Sequence, residues 1–165
     1  MSKYPSRSDT PTRPGTHSVL IVDDDPDVLE SFTQILETRG YKVDSAETGR
    51  EFLERAKIND YDVAIVDLRL PDMEGTEVLS NMRRISPKTK KIVITGYPTL
   101  ESAIDAMGSG TDAYLLKPLE PEDFLRVVEE KMREKDEAET RIMEEIRTRA
   151  GEVHSRGNIP RVRRK

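Results

Sequence analysis

Val63-Ala64-Ile65-Val66-Asp67-Leu68-Arg69-Leu70-Pro71-Asp72-Met73-Glu74-Gly75 is the stretch that decides the fold. A strand with one face in water alternates apolar and polar residues. Here the first four residues are apolar without a break, the pattern of a strand buried on both faces in a parallel sheet. The run ends at a carboxylate, Asp67, and passes into a Pro- and Gly-bearing loop.

Similar runs lie on either side. Strands are expected at residues 19–22, 41–45, 63–67, 92–95 and 113–116. The second alternates (Tyr41-Lys42-Val43-Asp44-Ser45) and so reads as an edge strand. Between the strands the apolar spacing turns helical. Asp25-Pro26 opens a first helix whose apolar face is Val28, Leu29, Phe32, Ile35 and Leu36, with Gly40 past its end. Thr48 to Glu51 has capping-box spacing before Phe52, Leu53 and Ala56. Val78, Leu79, Met82 and Ile85 mark a third helix and Leu100, Ala103, Ile104 and Met107 a fourth. A fifth begins at Pro121 with acids in its first turn. Strands alternating with helices predict an α/β fold: a doubly wound, five-stranded parallel sheet of flavodoxin-like type. An order of 2-1-3-4-5 places the alternating strand at an edge.

Composition narrows the function classes. The 165 residues contain no cysteine, which excludes a disulfide framework, a thiolate metal site and a catalytic thiol. No apolar run exceeds four residues, too short for a membrane span or a secretory core, so a cytoplasmic location is expected. The net charge of −5 hides a division: residues 1–18 carry +2 and residues 151–165 carry +4, leaving −11 on the body between them. Such a body repels nucleic acid.

In an open parallel sheet, functional groups collect beyond the carboxyl ends of the strands, where strand order reverses. The first strand ends in Asp23-Asp24-Asp25, the third in Asp67, the fourth in Thr95 and the fifth in Lys117-Pro118. Crowded carboxylates call for a compensating cation. Oxygen ligands without histidine or thiolate suit a hard ion, foremost Mg²⁺. Phosphoryl chemistry gives that ion a role, with Asp67 as nucleophile, Lys117 as a point charge and Thr95 as a hydrogen-bond donor to phosphoryl oxygens. Taken singly, each motif also has a plain structural reading: an N-cap with acids for the helix dipole, a turn aspartate, a Thr-Gly turn, a surface lysine. Four of them at four strand ends of one sheet favour the functional reading.

The set Val-Asp23-Asp24-Asp25-Pro, Asp67-Leu-Arg-Leu-Pro71-Asp-Met73-Glu-Gly75, Thr95-Gly96-Tyr97 and Tyr114-Leu-Leu-Lys117-Pro118 resembles the receiver (response regulator, chemotaxis-regulator-like) domain of two-component signal transduction. The resemblance implies that Asp67 accepts a phosphoryl group from a sensor histidine kinase or a phosphotransfer protein. It implies Mg²⁺ held by Asp23, Asp24, Asp67 and the backbone carbonyl of Arg69. It further implies a cis Lys117-Pro118 bond and a switch pair formed by Thr95 and Tyr114. The surface of the fourth helix, fifth strand and fifth helix would then bind a partner or a second copy as a homodimer. Thr111 departs from the alanine more usual before Asp112. Arg69 and Tyr97, bulky and two residues past Asp67 and Thr95, are expected to shield the phosphoryl group and leave only slow self-dephosphorylation. The rival readings are a Mg²⁺-dependent phosphohydrolase and a phosphorylation-independent scaffold. Against the first, the position two residues after Asp67 is Arg69 where such enzymes place an acid.

The expected organisation is a disordered leader (1–17), a receiver domain (18–133), a charged helical extension (134–150) and a basic disordered tail (151–165). Ala138, Ile142, Met143 and Ile146 put a thin apolar stripe on the extension. With 32 residues after 133, no DNA-binding output domain is expected in this chain. His17 and His154 are expected to be solvated.

Overall fold

The computed structural model describes residues 16–156. Five strands alternate with five helices: β1 (Ser18–Val22), α1 (Pro26–Glu37), β2 (Lys42–Ala46), α2 (Gly49–Ile58), β3 (Val63–Val66), α3 (Gly75–Ile85), β4 (Lys90–Thr95), α4 (Leu100–Gly108), β5 (Ala113–Leu116) and α5 (Pro121–Arg156). The sheet is parallel throughout, in the order β2-β1-β3-β4-β5. The order matches the sequence expectation, with the alternating strand at an edge.

The unbroken apolar runs have the anticipated reason. Side chains alternate across a strand, so Leu20, Val22, Ala64 and Val66 pack on one face with Phe52 of α2, Leu79 and Met82 of α3 and Ala106 of α4. Val19, Ile21, Ile65, Ile92 and Ile94 pack on the other with Leu36 of α1 and Phe124 and Val128 of α5. The rings of Phe32 and Phe124 meet with centroids 4.4 Å apart and lock α1 to α5. At the helix starts, Asp25 caps α1 by accepting from the Asp27 amide, and Thr48 caps α2 by accepting from Glu51. The Glu51 carboxylate reaches the Glu47 amide rather than that of Thr48, so the box expected there closes one residue early. A reciprocal box instead opens α4, between Thr99 and Ser102. Thr111 turns its hydroxyl to the carbonyls of Lys91 and Ala113.

Two expectations at the ends need correction. α5 does not yield to a coil at residue 151 but runs through Gly151 to Arg156. His17 is not solvated: its Nε2 lies 3.0 Å from Oδ2 of Asp136 on α5, both side chains largely buried. Its carbonyl accepts from the Lys42 amide, so the ordered fold begins before residue 18. Beside it, Lys135 donates to Oδ1 of Asp62 at 2.7 Å and to Glu139 at 2.9 Å. The first turns of the extension are thus docked on the body, whereas Ile142, Met143 and Ile146 are exposed. The rest of the expected leader and tail, and the His154 side chain, lie outside the described residues.

Candidate functional site

Three strand ends deliver acids and an amine to one rim of the sheet. Asp23 follows β1, Asp67 follows β3 and Lys117 follows β5. The residues on either side leave no freedom in their placement: the Asp67 amide donates to the Val22 carbonyl, and the Lys117 amide donates to the Thr95 carbonyl. Asp23 and Asp67 are both buried. Lys117 Nζ donates to Oδ2 of Asp23 at 2.5 Å and to Oδ2 of Asp67 at 3.0 Å. The peptide between Lys117 and Pro118 is cis.

The remaining oxygens of the buried acids are held by amides. Asp25 N donates to Asp23 Oδ1 at 3.0 Å and Arg69 N to Asp67 Oδ1 at 3.1 Å. Of the three consecutive acids, Asp25 turns away as the helix cap. Asp24 joins Asp23 and Asp67: one carboxylate oxygen from each lies within 4.8 Å of the others. Three hard oxygen donors that close, with no nitrogen or sulfur ligand among them, fit a small divalent cation.

The electrostatics follow from two buried carboxylates facing one ammonium. Burial raises the Asp23 pKa above the ordinary aspartate value, and the charge of Asp67 adds to it, against the opposing hydrogen bonds from Lys117 and the Asp25 amide. Burial disfavours the charge on Lys117, but its bonds to Asp23 and Asp67 outweigh that cost and its pKa moves up. A site with more negative than positive charge holds its protons tightly at both groups.

Thr95 is fully buried at the end of β4, where its hydroxyl accepts from the Tyr97 amide at 3.2 Å. Tyr114 on β5 is partly buried against the core beneath α4, and its hydroxyl lies 3.2 Å from Oγ of Ser102. Arg69 and Tyr97, read separately in the sequence, meet: the guanidinium carbon sits 4.1 Å from the centre of the tyrosine ring. Gly75 contributes by having no side chain. A Cβ there would collide with the carbonyl oxygen of Asp67 and lie 2.6 Å from Cα of Leu68. The loop carrying Asp67 therefore closes against α3 only with glycine at that position, a demand that the sequence shows as a glycine but not as a contact.

Residues 19–129 match the model of the response regulator receiver domain family. The chain belongs to that family. Receiver domains are signalling modules of two-component systems. A receiver domain protein of chemotaxis-regulator type from Methanospirillum hungatei shares 41% identity, with a TM-score of 0.74 over 75% of this chain and 99% of that one. A response regulator from Burkholderia pseudomallei, solved with a phosphorylated aspartic acid, a calcium ion and citrate, shares 28% identity. Its TM-score is 0.66 over 74% of this chain and 72% of that one. The cell cycle response regulator CtrA of Brucella ovis is 32% identical over 107 residues, 65% of this chain and 46% of that protein. The matched region thus spans about half the length of the curated relatives. No helix among the described residues is long and apolar enough to cross a membrane.

Proposed function

We propose that this receiver domain is a cytoplasmic phosphoacceptor switch in which Asp67 takes a phosphoryl group from the phosphohistidine of a sensor histidine kinase or a phosphotransfer protein. The observation that carries the reading is the Lys117 ammonium set between Asp23 and Asp67 with Asp24 alongside. In the transfer an Asp67 carboxylate oxygen forms a bond to phosphorus as the P–N bond of the donor breaks. The departing imidazole nitrogen keeps the electron pair and takes a proton from solvent. Mg²⁺, when bound, neutralises charge on the transferring oxygens. Asp23, Asp24, Asp67 and the Arg69 carbonyl would hold it. Lys117 then leaves its partner oxygen on Asp67 for a phosphoryl oxygen, and the Thr95 hydroxyl, which accepts from the Tyr97 amide, donates its own proton to another.

That exchange biases the face built from α4, β5 and α5. Leu100, Ile104 and Met107 of α4 stand 59–80% exposed on it, and Tyr114 already reaches α4 through Ser102. An apolar group of that size supports docking of a partner or a second copy. The phosphorylated aspartic acid recorded in the Burkholderia pseudomallei relative supports the same chemistry here.

Incubation with acetyl phosphate and Mg²⁺, followed by intact mass measurement, should add one phosphoryl group per chain, and none to Asp67→Asn. Steady turnover of p-nitrophenyl phosphate would instead make the protein a phosphohydrolase. A scaffold would show no spectral or association change with Mg²⁺ and beryllofluoride.

A further inference from the structure

The opposite rim of the sheet, at the amino ends of β4 and β5, carries an open cavity of about 590 Å³. It opens between the end of α3, the turn after α4 and the docked part of α5. Five cations line it: Arg83, Lys88, Lys90, Lys91 and Lys135. Only Asp112 and Glu139 oppose them there. Its lining side chains carry three more positive than negative charges, on a body whose sequence carries a strong negative excess.

Lys91 is the informative member. Its side chain, on β4 between β3 and β5, is buried at 4% exposure, yet its ammonium donates only to the Thr89 carbonyl, at 2.9 Å. It forms no ion pair with a carboxylate among the described residues; Asp112 accepts from its backbone amide instead, at 2.8 Å. An ammonium has three protons to donate, and a buried one without a counter-charge is costly. Burial accordingly depresses its pKa below that of an ordinary lysine, against the partial relief given by Asp112. Lys90 and Lys135 are already paired, with Asp112 and Glu134 and with Asp62 and Glu139. Arg83 and Lys88 have no such partner among the described residues.

The cavity also has an apolar side, made by Pro87, Met107 and Ile142, the last two 72% and 49% exposed. We propose that this cavity binds a small organic phosphate of nucleotide size, its phosphate on Lys88, Lys91 and Arg83 and its ring against Met107 and Ile142. The volume falls within the range of about 300–1,000 Å³ typical of small-ligand sites. A methionine is suited to an aromatic ring. A long polyanion is disfavoured, because beyond the cavity it meets the acidic body. The site lies at the opposite end of the strands from the acidic rim.

The test is an NMR titration of the ¹⁵N-labelled full chain with ADP in EDTA, with inorganic phosphate and adenosine in parallel. ADP should give saturable shifts at the amides of Lys91, Gly110, Asp112 and Ala138, with those of Asp67 and Gly96 unmoved. Inorganic phosphate should bind the same amides more weakly, and adenosine should not saturate. Lys88→Glu, on the surface, and Lys91→Met should each weaken ADP at least about tenfold. Absence of saturable shifts at this rim overturns the proposal, as does ADP affinity unchanged in the Lys88→Glu protein. Equal affinity for phosphate and ADP overturns the assignment of an organic ligand.

Discussion

Lys117 and Asp67 are 50 residues apart in the chain and 3.0 Å apart at their charged atoms, with Asp23 on the other side of the same ammonium. The ammonium occupies the position that a cation must share or contest. Replacing it by an apolar side chain of similar length should therefore separate two functions. Lys117→Met is expected to bind Mg²⁺ as well as or better than the parent, read by NMR titration, while its labelling by acetyl phosphate slows at least about tenfold, the scale of one charge-assisted hydrogen bond.

The crowding of Asp23 has a consequence for stability. Its pKa is raised in the fold, mainly by burial, so its stabilising contribution is complete below the unfolded aspartate pKa and lost as pH rises through the folded value. In EDTA, urea unfolding should show the parent gaining stability relative to Asp23→Asn as pH falls from neutral. A constant difference across that range would contradict the assignment. Saturating Mg²⁺ should reverse the order at neutral pH.

The Arg69 guanidinium carbon lies 4.1 Å from the centre of the Tyr97 ring, so as a shield for a phosphoryl group the two would act as one cover rather than two. Arg69→Asn and Tyr97→Ala should each speed loss of the phosphoryl group by about fivefold, the equivalent of the ~1 kcal/mol a surface cation–π contact supplies. The double variant should be little faster than either single one, since each removes the same shield. Additive effects measured by phosphoprotein decay would show that the two act independently.

Gly75 abuts the backbone of Asp67 and Leu68. Gly75→Ala should cost about 1–3 kcal/mol in urea unfolding, the range for overpacking at a fixed contact. It should also slow phosphorylation, since the displaced atoms belong to the acceptor residue itself. Gly108→Ala, where a Cβ meets nothing within 4 Å, serves as the control.

Docking of α5 rests in part on Lys135 and Asp62. Burial pushes the Asp62 pKa upward, but the hydrogen bond and charge of Lys135 and the Ser18 amide outweigh it, and the net shift is down. Its contribution is then present above the unfolded aspartate pKa and lost as pH falls through the folded value. Asp62→Asn should cost on the order of 1–2 kcal/mol at neutral pH, and the difference should vanish in acid. Hydrogen exchange at the start of β1 reads the same event locally.

The sheet is legible because strands buried on both faces cannot hide their composition: residues 19–22 and 63–66 are apolar at every position, and each stops at an acid that the structure brings to the rim. The meeting of Asp23, Asp24, Asp67 and Lys117 at one rim is legible for the same reason, since the change from apolar to charged marks the strand ends. The Arg69–Tyr97 stack was legible only as two bulky neighbours, because an exposed contact leaves no periodic trace. His17 and Asp136 are 119 residues apart, and nothing local to either announces the bond. α5 runs past the expected boundary at residue 150 because the glycine there, Gly151, costs a helix only about 1 kcal/mol relative to alanine, too little to stop a long one. The cavity at the amino ends of β4 and β5 takes its walls from three helices, and no single segment carries its pattern.

The unbroken run of α5 to Arg156 also has a mechanical meaning. From its anchor at Lys135 the helix projects about 30 Å, at 1.5 Å of rise per residue, so a tilt of roughly 10° at the anchor swings its tip by about 5 Å. Such a lever magnifies a displacement at its pivot that would be small on the domain itself, and delivers it to whatever the far end touches.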